Sequence, residues 1–360
     1  MTDAARDPWT GSPPRRTGRV TILSMRTVHI GLLLLAAAVT LPAARNLEIY
    51  SIDVEGGQAT LLVTPNGDSM LVDTGFPDNN HRDSERIAAA AKAAGVKKID
   101  YLVVTHYHLD HVGGIFQLSQ VLPIVHFVDH GPQSEKGKDA EILFQEYLTA
   151  ARKGERITVK PGDTIPVKGL DVKVLSANGD VIGSPLAGAG QPTPECQGFA
   201  RPPADTSENG HSIGMLIAYG DFRMIDMGDL TKDREYDLVC PDNRIGPVDL
   251  FLVSHHGTNP SNSLPFVHAI SPRVALMNNG PHKGGNSEAW QTVRDTRGLI
   301  DLWQLHYAID TDKQHNSPDT FIANVDANCE GKWIRVTAQK DGTFTVYNSR
   351  NKFEKTYTKR

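Results

Sequence analysis

Three histidines and an aspartate lie within six residues of the sequence, in the stretch VVTHYHLDHVGG (103–114). His106, His108, Asp110 and His111 directly follow an apolar run that is typical of a buried strand. Imidazole and carboxylate groups bind zinc-like divalent ions when no thiolate is present. His106 and His108 are two residues apart, so both imidazoles can project to one side of an extended chain and chelate one ion. A turn into a helix would then swing Asp110 and His111 towards a second position.

Other potential metal ligands lie at the start or the end of strand-like runs elsewhere in the chain. They are Asp73 in LVDTG, Asp229 in DMGDL, His255 and His256 in VSHHGT, and His211 in ENGHSIGM. Each also has a structural interpretation: Asp73 could close a turn, Asp229 could cap a helix, and His211 could simply begin a strand. Strand alternation does not decide which of His255 and His256 would point into a site.

The elements that must position these residues form two β-rich blocks. Strand-like runs at 47–54, 59–65 and 69–75 predict an antiparallel meander, and the helix that follows is predicted to have Asp83 or Ser84 as its N-cap. Strands, helices and the DLFLVSHHG run after residue 210 repeat this arrangement, and a hairpin that turns at Asp341–Gly342 ends the chain. Two packed sheets with helices outside them are therefore expected. The Gly- and Pro-rich segment at about 178–209 is predicted to be an insertion near the site or a mobile excursion.

The first 44 residues predict that the protein is exported. The rest of the chain, 45–360, is predicted to form a single domain. A basic residue, an apolar core at about 30–41 and small residues up to Ala43 or Ala44 have the layout of a signal peptide, behind an N-terminal extension rich in Pro and Arg. The apolar run is shorter than the roughly 20 residues that a membrane span needs. An uncleaved anchor is the alternative. We expect a periplasmic or secreted protein with no membrane span in the mature chain.

The net charge limits the classes of binding partner, and the cysteines bear on disulfides and metal binding. Residues 1–44 contain five Arg and two Asp, so the rest of the chain keeps 32 basic and 40 acidic side chains and a net charge of about −8. This charge disfavours binding to extended duplex DNA, which depends on cationic surface. The sequence implies no obligate protein partner. Cys196, Cys240 and Cys329 match no zinc motif, and one disulfide with one free thiol is as compatible with their spacing as three free thiols.

The motif HYHLDH matches the H-x-H-x-D-H signature, and with it the chain resembles the metallo-β-lactamase superfamily over roughly residues 47–310. The resemblance implies a four-layer αββα sandwich with one or two metal ions between its halves. It further implies that Asp73 orients a ligand histidine from behind, that Asp229 bridges two ions, and that His211 is a third histidine ligand. The metal ligands that it implies are His106, His108, Asp110, His111, His211, Asp229, and His255 or His256, with catalytic roles for Asp110, Asp229 and His256.

Two features of the motifs bear on the reaction. Asp229 stands where the commonest zinc β-lactamases have a cysteine, which favours two-metal hydrolases such as phosphodiesterases, lactonases, thioester hydrolases and nucleases. SHHGT is similar to a motif in the hydrolase domain of DNA-uptake competence proteins and in choline-phosphate esterases. We therefore expect an exported hydrolase with two Zn²⁺ or other divalent ions, in which a bridging hydroxide attacks a small or polymeric phosphoester. The alternatives are lactone, thioester or β-lactam hydrolysis, and a non-catalytic metal-binding module.

Several loop residues are candidates for binding substrate. The loop NNGPHKGGNS offers His282 and Lys283, which could bind a phosphate or carboxylate oxygen or belong to a plain solvated turn. His130 in VDHGP is expected at the surface or at the rim of a pocket, and so is His315. His306 in WQLHYA is expected to be a core residue.

Overall fold

The computed structural model describes residues 46–77 and 79–359, which belong to the unit Ala44–Arg360. The predicted N-terminal extension and signal peptide, residues 1–44, lie outside the described residues. Within the described ranges, no helix combines the length and the apolar composition that a membrane crossing requires.

The first block consists of strands β1 to β6 and helices α1 to α4. Their order is β1 (Leu47–Ser51), β2 (Thr60–Val63), β3 (Ser69–Val72), α1 (Arg82–Ala93), β4 (Ile99–Val103), α2 (Leu109–Val112), α3 (Ile115–Val121), β5 (Ile124–Asp129), α4 (Lys138–Ala151) and β6 (Glu155–Thr158). β1, β2 and β3 form the predicted antiparallel meander, whereas β3, β4, β5 and β6 pair in parallel. The predicted N-cap of α1 is wrong: His81 is the N-cap, the helix begins at Arg82, and Asp83 lies in its first turn, where it accepts a hydrogen bond from the backbone N–H of Phe76.

The second block repeats strands and helices on the other side of the core. Its order is β7 (Thr164–Ile165), β8 (Asp171–Ala177), β9 (Asp180–Val181), β10 (Gln191–Pro192), β11 (Gly214–Tyr219), β12 (Phe222–Asp226), α5 (Lys232–Val239), β13 (Asp242–Asn243), β14 (Leu250–Leu252), α6 (Leu264–Ile270), β15 (Val274–Met277), α7 (Ser287–Arg294), β16 (Asp301–His306) and β17 (Ile322–Asn324). β12, β14, β15, β16 and β17 run parallel to one another.

The chain ends with β18 (Ile334–Ala338), β19 (Phe344–Asn348) and β20 (Glu354–Tyr357), which return to the first sheet. β18 and β19 form the predicted hairpin, and β18 pairs with β1. The first sheet thus has the strand order β20-β19-β18-β1-β2-β3-β4-β5-β6. The second has the order β17-β16-β15-β14-β12-β11-β8-β7, with β9 paired to β8.

Three apolar layers separate the two sheets from each other and from the helices. The central layer joins residues of both sheets, for example Ile49 and Leu62 with Met215 and Ile217. A second layer lies between the first sheet and α1, α3 and α4, and a third between the second sheet and α5, α6 and α7. Successive strand residues face opposite sides, so Tyr50 joins the helix layer while its neighbour Ile49 joins the central one. The predicted αββα sandwich is confirmed.

The Gly- and Pro-rich segment at 178–209 packs against α5 and α6. A disulfide joins Cys196 to Cys240 at the end of α5, and Arg201 forms a bidentate pair with Asp237 of the same helix. Cys329 is free. Of the alternatives for the three cysteines, one disulfide with one free thiol is therefore correct.

Candidate metal centre

The histidine and aspartate motifs meet where neighbouring parallel strands end. Asp73 follows β3, residues 106–111 follow β4, Asp229 follows β12, and His255 and His256 follow β14. In α/β sheets the carboxyl ends of parallel strands are the usual place for a ligand, because the loops there converge while the sheet holds them rigid. The two sheets are linked next to the site by the Gln58 amide, which donates hydrogen bonds to the Asp226 carboxylate.

Four of the expected ligands form one buried cluster. The ligand atoms of Asp110, His111, Asp229 and His256 all lie within 4.8 Å of one another. Nε2 of His111 lies 3.2 Å from Oδ1 of Asp229, and Nε2 of His256 lies 3.1 Å from Oδ2 of Asp110. All four residues are buried, so an ion held there would exchange most of its water for protein ligands.

A second group of imidazoles faces the other oxygen of the same aspartate. Nε2 of His255 lies 3.2 Å, and Nε2 of His106 3.9 Å, from Oδ2 of Asp229. Nδ1 of His108 lies 3.0 Å from Nε2 of His106. Each oxygen of Asp229 therefore faces its own set of donors, which is the arrangement expected of a carboxylate between two ions.

Asp73 lies behind His111, as the sequence predicts. Its Oδ2 is 2.7 Å from Nδ1 of His111, and its carboxylate accepts hydrogen bonds from the backbone N–H and the hydroxyl of Thr105. This contact directs Nε2 of His111, the other ring nitrogen, towards Asp110 and Asp229. The aspartate is fully buried.

The carboxylates of the cluster carry negative charge, and in the metal-free protein this charge favours protonation of a ligand histidine. Burial disfavours ionisation of Asp229, but the nearby imidazoles of His111, His256 and His255 outweigh it and hold the pKa of Asp229 well below its usual range. For His111, burial acts against the charged form, but Asp229, Asp110 and Asp73 raise its pKa well above the ordinary value. A divalent cation would supply this positive charge instead and leave His111 neutral for ligation.

Orphaned polar atoms give a direct test of whether a metal fits. Oδ1 of Asp229 is one of the buried polar atoms of the described residues that lack a well-formed hydrogen bond. Buried polar atoms are rarely left without a partner, and such cases call for an unseen water or ion. Oδ1 of Asp229 faces His111 and His256, so an ion bound to those imidazoles would satisfy it. The residues present therefore fit a divalent cation.

The two glycines after the histidine motif are required because neighbouring backbone atoms approach them closely. A Cβ on Gly113 would lie 2.2 Å from the Leu109 carbonyl oxygen, and one on Gly114 would lie 2.1 Å from the Thr74 carbonyl oxygen. Both glycines have ordinary helical φ angles, so the requirement is space and not conformation. They let α2 and α3 pack against the loop that carries Asp73.

The structure does not bring His211 into either group of donors. Its Nδ1 lies 2.8 Å from the carbonyl oxygen of Ser207, and its ring lies 6.1 Å from that of His130. His130 is itself buried, with Nε2 3.1 Å from Oε2 of Glu208, so the prediction of a surface or pocket-rim role for His130 is wrong. The sequence could not indicate this because Glu208 is 78 residues away and belongs to the Gly- and Pro-rich segment.

The two candidates in the loop after β15 behave differently. Lys283 reaches the cluster: its ammonium group donates a hydrogen bond to Oδ2 of Asp110 and lies 5.5 Å from the centre of the Phe76 ring. His282 points elsewhere, with 62% of its side chain exposed and Nδ1 3.0 Å from Asp310. Of the two, Lys283 is therefore the one placed to meet a substrate. The remaining loop histidine, His315, is partly exposed beside Asp312.

Sequence reasoning missed two positioning residues. Oε1 of Glu135 lies 3.1 Å from Nε2 of His108 and leaves Nδ1 of that ring to face the site. Ser261 places its hydroxyl oxygen 3.2 Å from Nδ1 of His255. Glu135 lies in a loop without a recognisable motif, and Ser261 follows SHHGT by only three residues, which is the one signal that could have identified it.

His306 is a buried core residue, as expected, and it belongs to a separate cluster. Its Nε2 lies 2.7 Å from Oδ1 of Asp53, and the thiol of Cys329 donates to Oδ2 of the same carboxylate. Arg86 also donates to Asp53. These contacts join the loop after β1 to β16, one from each sheet.

Comparisons with known proteins agree with this fold. The sequence model described as metallo-beta-lactamase superfamily matches residues 53–193. The chain is 26% identical over 250 residues to ComE operon protein 3 of Bacillus subtilis, a match that covers 65% of this chain and 28% of that protein. It is 23% identical over 234 residues to Recombination protein 2 of Haemophilus influenzae, with 65% of this chain and 24% of that protein covered. The chain thus spans about a quarter of the length of these two relatives.

Among solved structures, the metallo-beta-lactamase fold protein YhfI from Bacillus subtilis is similar with a TM-score of 0.44 and 15% identity. That match covers 71% of this chain and 96% of YhfI.

Fold, site and sequence matches together define a class. Residues 53–193 match the metallo-β-lactamase superfamily, whose members are typically metal-dependent hydrolases, and the fold and motifs agree with that match. The described part of the chain contains a buried Asp/His cluster suited to divalent metal.

Proposed function

We propose that this protein is an exported phosphoesterase that uses two divalent ions, with Zn²⁺ the first choice. The single observation that carries the proposal is the position of Asp229. One of its oxygens faces His111 and His256, and the other faces His255 and His106.

The donor set is matched to borderline divalent ions. Asp110, His111, Asp229 and His256 would hold one ion, and His106, His108 and Asp229 would hold the other. Imidazole and carboxylate ligands without thiolate suit zinc, and they also accept manganese or iron. Two such ions supply an activated water at neutral pH and positive charge for the transition state.

The chain's own groups fix the geometry of this site. Asp73 and Glu135 hold the rings of His111 and His108 through the nitrogens that face away from the ligand clusters. Asp110 and Asp229 provide the negative charge that draws cations in. This charge would otherwise repel an anionic substrate, so the ions and Lys283 must offset it.

Lys283 favours a phosphoester over a neutral ester as the substrate. A cation bound by Asp110 would offset the charge that Lys283 now offsets, and the Lys283 ammonium group could then meet a non-bridging oxygen of the substrate. The loop is fixed on the metal motif, because the backbone N–H of Gly285 donates to the His256 carbonyl oxygen. A Cβ on Gly284 would lie 2.1 Å from that same oxygen, so the approach requires glycine. The resemblance to the hydrolase domain of competence proteins points to the same substrate class.

Export is supported by the signal-like residues 25–44 and by the disulfide between Cys196 and Cys240. Disulfides persist in oxidising compartments such as the periplasm or the medium. N-terminal sequencing of the protein recovered from those fractions tests the export: we expect a mature chain that begins just after Ala43 or Ala44, whereas full-length protein confined to the cytoplasm would contradict it.

The reaction is tested by metal analysis followed by a substrate panel. We expect about two ions per chain and hydrolysis of bis-(p-nitrophenyl) phosphate or single-stranded DNA in preference to a lactone or a chromogenic cephalosporin. Asp229→Ala should abolish hydrolysis and lower metal content, and Asp221→Ala is the matched control, because Asp221 precedes the same strand but is 59% exposed. Selective turnover of the lactone or the cephalosporin would replace the phosphoester. Metal binding without turnover of any substrate would indicate a binding module, and full activity of Asp229→Ala would refute the two-ion site.

A further inference from the structure

We infer that His255, and not His211, supplies the third imidazole of the ion position formed by His106, His108 and Asp229. The inference rests on the proposed two-ion function and assigns one of its ligands. It makes both histidines of SHHGT metal ligands, one for each ion, where the motif alone suggests a single ligand.

The first argument is that the two histidines contact different oxygens of Asp229. Nε2 of His255 lies 3.2 Å from Oδ2, the oxygen that His106 also approaches. Nε2 of His256 lies 3.4 Å from Oδ1, the oxygen that His111 also approaches. The carboxylate of Asp229 therefore separates the two rings into two donor sets.

The second argument is the backbone that makes this possible. In an extended strand, consecutive side chains point to opposite faces, so only one of two adjacent histidines could reach the site. His255 and His256 instead have φ values of 53° and 55°, in the left-handed region that residues with a Cβ seldom adopt. The backbone N–H of His255 donates to the Gly228 carbonyl oxygen, which fixes this turn beside Asp229. Strained backbone of this kind concentrates where a ligand must be clamped.

The third argument is the support behind the His255 ring. Ser261, which is buried, places its hydroxyl oxygen 3.2 Å from Nδ1 of His255, while Nε2 points to Asp229. A ligand histidine typically bonds a second group through its other ring nitrogen, which sets the tautomer and the ring orientation. The His255 side chain is 12% exposed, whereas those of His106, His111 and His256 are fully buried.

His211 is bound into a different network. Nδ1 of His211 bonds the Ser207 carbonyl oxygen, and Nε2 faces Gly179, at 3.4 Å from the position of an added Cβ. In the same segment, Glu208 accepts hydrogen bonds from the backbone N–H groups of Tyr107 and Ser134. These bonds tie the 205–211 turn to the backbone of the first histidine motif, so its role is to hold that motif in place.

A pair of matched variants tests the assignment. His255→Ala and His211→Ala each remove one imidazole, and metal content is measured on the purified full chain after equilibration with limiting Zn²⁺. Visible spectra recorded during Co²⁺ titration report the coordination of each ion independently of activity. We expect about two ions in the wild type and in His211→Ala, and about one tightly bound ion in His255→Ala, with the Co²⁺ spectrum of the remaining ion unchanged.

The outcomes separate this inference from the proposed function. Two tightly bound ions in His255→Ala would overturn the assignment, and loss of an ion only in His211→Ala would transfer the role to His211. In both cases the two-ion hydrolase would stand. A wild-type chain that binds fewer than two ions would overturn both proposals.

Ser261→Ala is the second test variant, to be used if circular dichroism shows that His255→Ala does not fold. Loss of the Ser261 hydroxyl should weaken one of the two ions by about 10- to 100-fold and leave the other unchanged. Unchanged affinity for both ions would count against His255.

Discussion

Replacement of Asp73 by asparagine tests how a residue that is not itself a proposed metal ligand orients one that is, His111. The carboxylate of Asp73 accepts from the backbone N–H of Thr105 at 2.8 Å and from its hydroxyl at 2.7 Å, and it faces Nδ1 of His111 at 2.7 Å. Asparagine has the same shape and tolerates the left-handed φ of 60° at this position at least as well as aspartate. The change therefore alters hydrogen bonding and charge while it preserves packing and backbone.

The size of the effect follows from the tautomer of His111. An asparagine oxygen can keep the bond from the Thr105 N–H, which leaves its NH₂ group opposite Nδ1 of His111. Nδ1 must then accept, so the ring proton moves to Nε2, the atom that faces Asp110 and Asp229. Loss of such a supporting carboxylate typically lowers metal affinity by about 10- to 100-fold. In free energy this is roughly 1.4 to 2.7 kcal/mol.

The assay is a competition titration of the metal-free protein against a chromogenic chelator. We expect the ion held by Asp110, His111, Asp229 and His256 to weaken by that factor, and the other ion to change little. Asp249→Asn is the control: Asp249 is also buried and accepts a backbone hydrogen bond, but it precedes β14 and lies at the opposite end of the strand from the histidines. Wild-type affinity for both ions in Asp73→Asn would refute the tautomer argument.

Three further outcomes are expected. Lys283→Met should raise KM for a phosphodiester by about tenfold, because one charge-assisted hydrogen bond is lost. His282→Met should change KM little. Equal KM values for the two variants in steady-state kinetics would argue against the role of the lysine. Reduction of the Cys196–Cys240 disulfide opens a loop with a sequence separation of 44 residues, so it should cost up to about 4 kcal/mol of unfolding free energy in urea titrations without loss of bound metal. Burial raises the pKa of Glu235 to about 7, above the value in the unfolded chain. Its stabilising contribution is therefore fully present below about pH 4.5 and falls by roughly 3 kcal/mol as pH rises to about 7. The difference in urea unfolding free energy between the metal-free wild type and Glu235→Gln should change by that amount across this window, and a pH-independent difference would contradict the assignment.

Much of the fold was predictable because its signals are local. The alternation of buried residues in β18 and β19, the turn at Asp341–Gly342 and the apolar run before His106 each depend on a few consecutive residues. The start of α1 was misjudged because Asp83 lies in the first turn and bonds the Phe76 N–H. That bond depends on the preceding loop, and helix propensity cannot indicate it.

The site divides in the same way. The structure places Asp73 behind His111 and Asp229 between the motifs, the positions that the family resemblance implies, and both residues lie just beyond the end of a strand. His130 was misplaced because burial against Glu208 depends on a segment with no periodicity. Glu135 was missed for the same reason, since its contact with His108 joins two loops.

The sequence by itself therefore determined most of the candidate metal ligands and the strands that carry them, because ligand chemistry and strand ends are properties of short stretches. Only the tertiary structure decided how these groups are divided. It set the two oxygens of Asp229 against separate donor sets, turned His255 and His256 to the same carboxylate through left-handed backbone, and paired Cys196 with Cys240. These features depend on backbone angles and on contacts between segments far apart in the chain, and neither is encoded in the spacing of a motif.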